Sequence, residues 1–217
     1  MVEPNPLGIL SSRDIPSDCV LKKSIGAKES AMFFSFSRLN MAAILFLVWL
    51  LPRCAVAEVV NAAADGFTIK NSLEIAASPQ RVYDAIVKSI GSWWSSSHTF
   101  SGNSRNLSMD DTPGGCFCER WNGKAGVWHM TVVYADPGKR LRLSGGLGPL
   151  QDMGVAGSLT FDLTSTDGKT RLDLTYHVGG YSPDGLTKWA SAADSVLLEQ
   201  ITRLKRYIET GSADSKI

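Results

Sequence analysis

A chain of 217 residues with 44% hydrophobic residues can bury one good core, and nothing in its composition asks for a second. Lys and Arg total 22 against 21 Asp and Glu, so no charge excess draws the chain to nucleic acid or to an anionic membrane surface. The sequence carries no internal repeat and no low-complexity tract, which excludes solenoid and collagen-like architectures.

Residues 41–51 (MAAILFLVWLL) form an apolar run with Arg38 before it and Ala55, Val56 and Ala57 after it. A basic flank, a short hydrophobic stretch and an A-x-A pattern together describe a secretory signal peptide over 41–57, cleaved after Ala57. The run is short for a bilayer span; an uncleaved anchor and a buried core helix are the alternatives. Residues 1–40 read as disordered or as upstream of the true start, with Met32 or Met41 as the other possible first residue. The expected mature chain is therefore 58–217, periplasmic or secreted, with no stable membrane insertion after cleavage. Of four cysteines, Cys19 and Cys54 fall outside it. Cys116 and Cys118 stand two apart in an expected strand, where side chains point in parallel and a disulfide closes poorly. They read as two buried free thiols, half a metal site or a strained redox pair being the alternatives. No second Cys-x-Cys or His-x-His pair completes four ligands, so neither a metal nor a cofactor is expected.

Phe67, Ile69, Leu73 and Ile75 alternate with polar residues, which predicts a half-buried strand. Asn71 falls on its apolar face, either bonded to backbone in the core or lining a cavity. Ser78 and Pro79 read as the cap and first position of a helix that carries Val82, Ile86 and Ile90 inward and stops at Gly91. Trp93 and Trp94 follow in a short helical turn, then a mobile Ser/Gly-rich loop over 95–104. Short strands come next: 106–109, 116–121, 127–135, one on Leu141 and Leu143, one on Leu159, Phe161 and Leu163, and one with Leu172, Leu174, Tyr176 and Val178 inward. Turns at Asn122-Gly123, Asp136-Pro137-Gly138 and Asp167-Gly168 separate several of them. With the first strand this makes a seven-stranded antiparallel meander. From 183 to 211, Leu186, Trp189, Ala193, Val196, Leu197, Ile201, Leu204 and Ile208 recur every three or four residues, the stripe of the one long helix. Asp184 near its start and Gly211 as a left-handed cap mark its ends. The expected fold is α+β: a curved sheet gripping this helix, with two short helices after the first strand. Because a curved sheet and a straight helix diverge at one end, such packing tends to leave a cavity.

The stretches IAASPQRVYDAI, Trp93-Trp94, PGGCFCERW and ADPGKRLRLSGG, followed by the terminal helix, cover nearly all of residues 65–211. In this order they resemble the START-like, or SRPBCC, helix-grip superfamily, in its polyketide-cyclase-like and heat-shock-ATPase-activator-like branch. The resemblance implies a hydrophobic cavity between sheet and long helix that takes lipids, polyketides or other apolar small molecules. Some members are cyclases, dehydratases or hydrolases and many only bind, so the fold constrains function loosely.

Phe117, Glu119 and Trp121 share one strand face, and Trp128, Met130 and Val132 share another. With those faces inward, Glu119 is a carboxylate in an apolar pocket with a raised pKa, fit for acid/base work. The alternative is that it pairs with a basic neighbour or orders the fold. His129 and His177, on the opposite faces, are expected in solvent, while His98 in the loop after the tryptophans stands at the mouth as a second catalytic candidate. The expected walls are Asn71, Trp93, Trp94 and the inward residues of those two strands. Leu143, Phe161 and, from the long helix, Trp189 and Val196 complete them. Residues 144–157 (SGGLGPLQDMGVAG) are glycine-rich but join two strands, so they do not cradle phosphate. They form either a lid presenting Leu147, Leu150 and Met153 or a plain connection. Neither G-x-S-x-G nor H-E-x-x-H occurs. Two functions stay open: an exported carrier of an apolar small molecule, which is preferred, and a cyclase or dehydratase using Glu119 in the same pocket. Chaperone activation is disfavoured by export.

Overall fold

A period of two in the apolar residues, sustained along most of the strands, lays down one antiparallel sheet of eight strands. The computed structural model describes residues 56–214; the expected signal segment lies outside them except for Val56 and Ala57. In chain order the elements are β1 (Val56–Ala63), β2 (Gly66–Ile75), α1 (Pro79–Lys88), α2 (Ile90–Trp93), β3 (Leu107–Met109), β4 (Cys116–Trp121), β5 (Ala125–Asp136), β6 (Arg140–Ser144), β7 (Gly154–Thr166), β8 (Lys169–Tyr181) and α3 (Thr187–Thr210). The spatial order is β1-β2-β8-β7-β6-β5-β4-β3. The expected plain meander is thus closed differently: β2 pairs with β8, and the helical stretch carries the chain away to β3 at the far edge.

The expected count of seven strands omits β1. Its sequence, VAEVVNAA, has no clean alternation, because an irregularity between Val59 and Asn61 interrupts its pairing with β2. The other boundaries follow local chemistry. Ser78 caps α1 by accepting from the Arg81 N–H at 3.4 Å, and Pro79 takes the first turn, where its missing N–H costs nothing. Gly211 ends α3 at φ +83°, a conformation that residues with a β-carbon resist.

α3 buries Ala190, Leu197, Ile201, Leu204 and Ile208, and its backbone runs close to β1 and β2 and to α1 and α2. Farther across the sheet, Met130, Val132, Leu141, Leu143, Leu159 and Phe161 turn inward and are buried. Sheet and helices share one core.

Two extra residues in β5 change which side chains enter that core. The pairing runs Phe117↔Met130 and then Cys118↔Trp128, so His129 has no partner in the ladder. Val133 is skipped in the same way against β6. Each bulge reverses the alternation. Trp128, expected inside, therefore lies outside at 56% exposure, and His129, expected in solvent, is turned in at 5%. The cysteines are a second correction. Cys116 and Cys118 are joined by a disulfide with a Cα–Cα distance of 5.4 Å, not left as free thiols. That distance lies within the range a disulfide spans.

Candidate functional site

Three inward polar groups of the sheet, Glu119 on β4, His129 on β5 and Asn71 on β2, define what the interior can do. Glu119 is fully buried, and its carboxylate accepts from the Phe100 N–H at 3.0 Å, from the Ser101 N–H at 2.6 Å and from His129 Nε2 at 3.2 Å. Burial alone pushes its pKa up, yet hydrogen bonds from Ser101, Phe100 and His129 outweigh burial and hold it below the usual carboxylate range. This corrects the expected raised value: Glu119 stays ionised and occupied. Burial lowers the pKa of His129 despite the Glu119 carboxylate beside it. A neutral ring donating from Nε2 to Glu119 and facing the Gln151 amide with Nδ1, at 3.4 Å, satisfies both contacts.

The 95–104 segment, expected to be mobile, is pinned along its length. Gln200 of α3, itself buried, accepts from the Ser95 N–H at 2.8 Å. Ser104 donates to the Gly91 carbonyl at 3.0 Å, and Glu119 takes the next two loop amides. An aromatic run passes from Trp93 to Trp94 at 5.5 Å, on to Phe117 at 5.5 Å and to His129 at 4.9 Å. It ends at the exposed Phe100 ring, 5.8 Å from His129. His98, the other catalytic candidate, lies outside this run and pairs with Glu199 of α3 at 3.0 Å.

The connection from β6 to β7 is shorter than the 144–157 expected, because β7 already begins at Gly154 and Gly148–Asp152 form a 3-10 turn. Leu150 is buried and Leu147 and Met153 pack on the core, so the apolar side chains of the supposed lid are already down. The Tyr176 hydroxyl holds this connection, accepting from the Leu147 N–H at 2.9 Å and donating to the Gly145 carbonyl at 3.2 Å. Burial pushes that phenol up to about 12, against the pull of the Leu147 N–H. Gly157 makes room for the ring: a β-carbon there would stand 2.6 Å from Tyr176 Cε2.

At the α3 side of the interior, Asn71 is fully buried and donates through Nδ2 to Asp194 Oδ1 at 3.0 Å. Its Oδ1 is buried with no hydrogen-bond partner, as is Nε1 of Trp189 earlier on α3. An orphaned buried acceptor costs on the order of 1–3 kcal/mol, so such a group calls for a reason. Burial raises the pKa of Asp194, and the Asn71 donor pulls it down.

The residues read from the sequence therefore fall into groups. Trp93, Trp94, Phe117 and Glu119 come together at one end of the interior, and Met130, Leu143 and Phe161 line the sheet's inner face. Trp121, Leu147, Trp189 and Val196 are half-buried, and Trp128 is on the other face. His129, Tyr176, Asp194 and Gln200 were not read as site residues. Asp194 alone left a direct signal, a carboxylate between the apolar positions Ala190 and Leu197. Among the described residues no set of three or more His, Cys, Asp or Glu side chains gathers as for a metal, and no helix is long and apolar enough to cross a membrane.

The model of the family described as polyketide cyclase / dehydrase and lipid transport matches residues 66–209. No curated protein matches the chain. Among solved structures it is similar to a conserved protein of unknown function from Enterococcus faecalis, at 16% identity over 75% of this chain and 80% of that one, with a TM-score of 0.50. CalU16 from Micromonospora echinospora gives 14% identity over 76% and 88% at 0.47. The Aha1 dimer from Colwellia psychrerythraea gives 21% over 66% and 97% at 0.43. At these identities the likeness is one of fold.

Proposed function

Because the chain belongs to the polyketide cyclase / dehydrase and lipid transport family, we propose that it binds an apolar small molecule between the sheet and α3 and carries it without transforming it. The observation that carries this reading is that Asn71 Oδ1 on β2 and Trp189 Nε1 on α3 are buried without a hydrogen-bond partner, while Glu119, His129, Tyr176 and Gln200 of the same interior are all bonded. A buried polar atom that the protein itself leaves unpaired is one that a ligand can satisfy. The catalytic alternative rests on Glu119, whose carboxylate is already engaged by two loop amides and an imidazole; that suits an anchor better than an acid.

Export belongs to the same proposal. The Arg38 flank, the apolar run and the A-x-A pattern support it, and so does the Cys116–Cys118 disulfide, since such bonds persist in oxidising compartments. Cleavage after Ala57 removes only the first two residues of β1. N-terminal sequencing of the exported protein should then begin at Glu58; a chain recovered from the cytosol with Met41 attached contradicts it.

The binding reading is tested with Ala193→Phe. Ala193 is half-buried on α3 and packs against the core, so a larger side chain takes up interior space at a cost of about 1–3 kcal/mol. An environment-sensitive apolar dye should bind the wild-type protein near one-to-one and the folded variant at least tenfold more weakly. Equal binding by both places the dye elsewhere and refutes the site.

A further inference from the structure

The interior polar groups differ in one respect that narrows the ligand. Glu119, His129, Tyr176, Thr170 and Gln200 are all buried and all hydrogen-bonded. Asn71 is as deeply buried, and only its amide nitrogen is used. That nitrogen donates to Asp194, for which Asn71 is the one hydrogen-bonding partner among the described residues. What the pair leaves over is chiefly acceptor capacity: the Asn71 carbonyl oxygen, which has no partner at all, and the lone pairs of a carboxylate that no lysine or arginine neutralises, against one remaining N–H of the Asn71 amide.

Within the reading of an interior apolar site, we infer that Asn71 and Asp194 form its polar handle and that the ligand is an apolar molecule bearing one hydrogen-bond donor, a hydroxyl or an amine. Asn71 is fixed by β2, held between Ala57 of β1 and Leu174 of β8, and Asp194 is fixed by α3. The handle therefore bridges the two sides of the grip, and a donor placed there bonds both. Burial raises the Asp194 pKa, as befits a carboxylate short of partners. A ligand with only acceptors, such as an ether or ester, meets at most the remaining Asn71 N–H and leaves the Asn71 carbonyl oxygen and the carboxylate unpaired.

The full-length protein is titrated with three 2-substituted naphthalenes: 2-naphthol, 2-methoxynaphthalene and 2-naphthylmethylamine. A hydrogen bond to a charged acceptor at a part-buried site corresponds to a preference of about tenfold or more. The naphthol or the amine should bind at least that much more tightly than the ether, and which of them leads tells hydroxyl from amine. In Asn71→Leu and in Asp194→Asn the preference should shrink toward one, with ether binding kept. Asp194→Asn keeps the shape of the side chain, so it remains informative if Asn71→Leu fails to fold. Equal binding of ether, naphthol and amine to the wild type overturns the handle and leaves the apolar site standing. A preference that survives both substitutions also overturns it. If none of the three binds, the interior site itself is wrong and the handle falls with it.

Discussion

Replacing Glu119 with alanine is expected to destabilise the folded chain by about 2–4 kcal/mol, although its carboxylate lies on neither α3 nor the exposed surface. The change leaves the Phe100 and Ser101 amides and His129 Nε2 without their acceptor, and each donor stranded away from water costs roughly 1–3 kcal/mol. Water reaching the loop amides keeps the sum below the simple total. The effect depends on pH with a definite sign. Glu119 has a folded pKa below its ordinary 4.5, so its contribution is complete above that value and is lost as pH falls through the folded one. His129 is also lowered, from 6.5; the folded state prefers the neutral ring, and this contribution starts to fade as pH drops below 6.5. Urea midpoints should therefore fall in two steps on acidification. Glu119→Ala should show a smaller lower step, since Asp173 and Asp84, also held below their ordinary values, still titrate there, and His129→Gln should lack the upper. A Glu119→Ala protein within about 0.5 kcal/mol of wild type at pH 7 shows that Glu119 is not the anchor described here.

Trp93→Ala is the second large effect, about 3–5 kcal/mol. Trp93 is wholly buried, its Nε1–H bonds the Ala85 carbonyl at 2.9 Å, its ring meets Trp94, and its own carbonyl accepts from Arg203 of α3 at 2.9 Å. One residue thus ties α1 and α2 to α3, and its loss opens a void where three helices meet. Trp128→Ala is the internal control. The sequence puts both tryptophans in the interior, but the bulge at His129 sends Trp128 to the surface, where truncation should cost less than about 1 kcal/mol. Chemical denaturation of the two variants side by side checks the contrast; comparable losses mean that β5 carries no bulge.

That contrast also shows what the sequence reveals and what it does not. α3 was legible because its stripe repeats for many turns and a glycine ends it, and β2 and β6 to β8 because their alternation is regular. β1 was not, since its bulge breaks the alternation and its first residues double as a cleavage pattern. The partition of β5 was hidden for a related reason. Trp128, Met130 and Val132 obey period two in sequence, and only the pairing with β4 shows that His129 is an extra residue. Within the site, the inward placement of Asn71 was readable, whereas its partner lies 123 positions away. Glu119 was correctly placed inside, but its chemistry turned on loop amides that only the folded chain brings near.

Native mass spectrometry of the protein purified from its own host tests the central claim most directly. The account predicts one apolar molecule per chain in the wild type and its loss from Ala193→Phe. A wild-type chain that flies at its bare mass and takes up no apolar probe, or a ligand that Ala193→Phe retains in full, contradicts it.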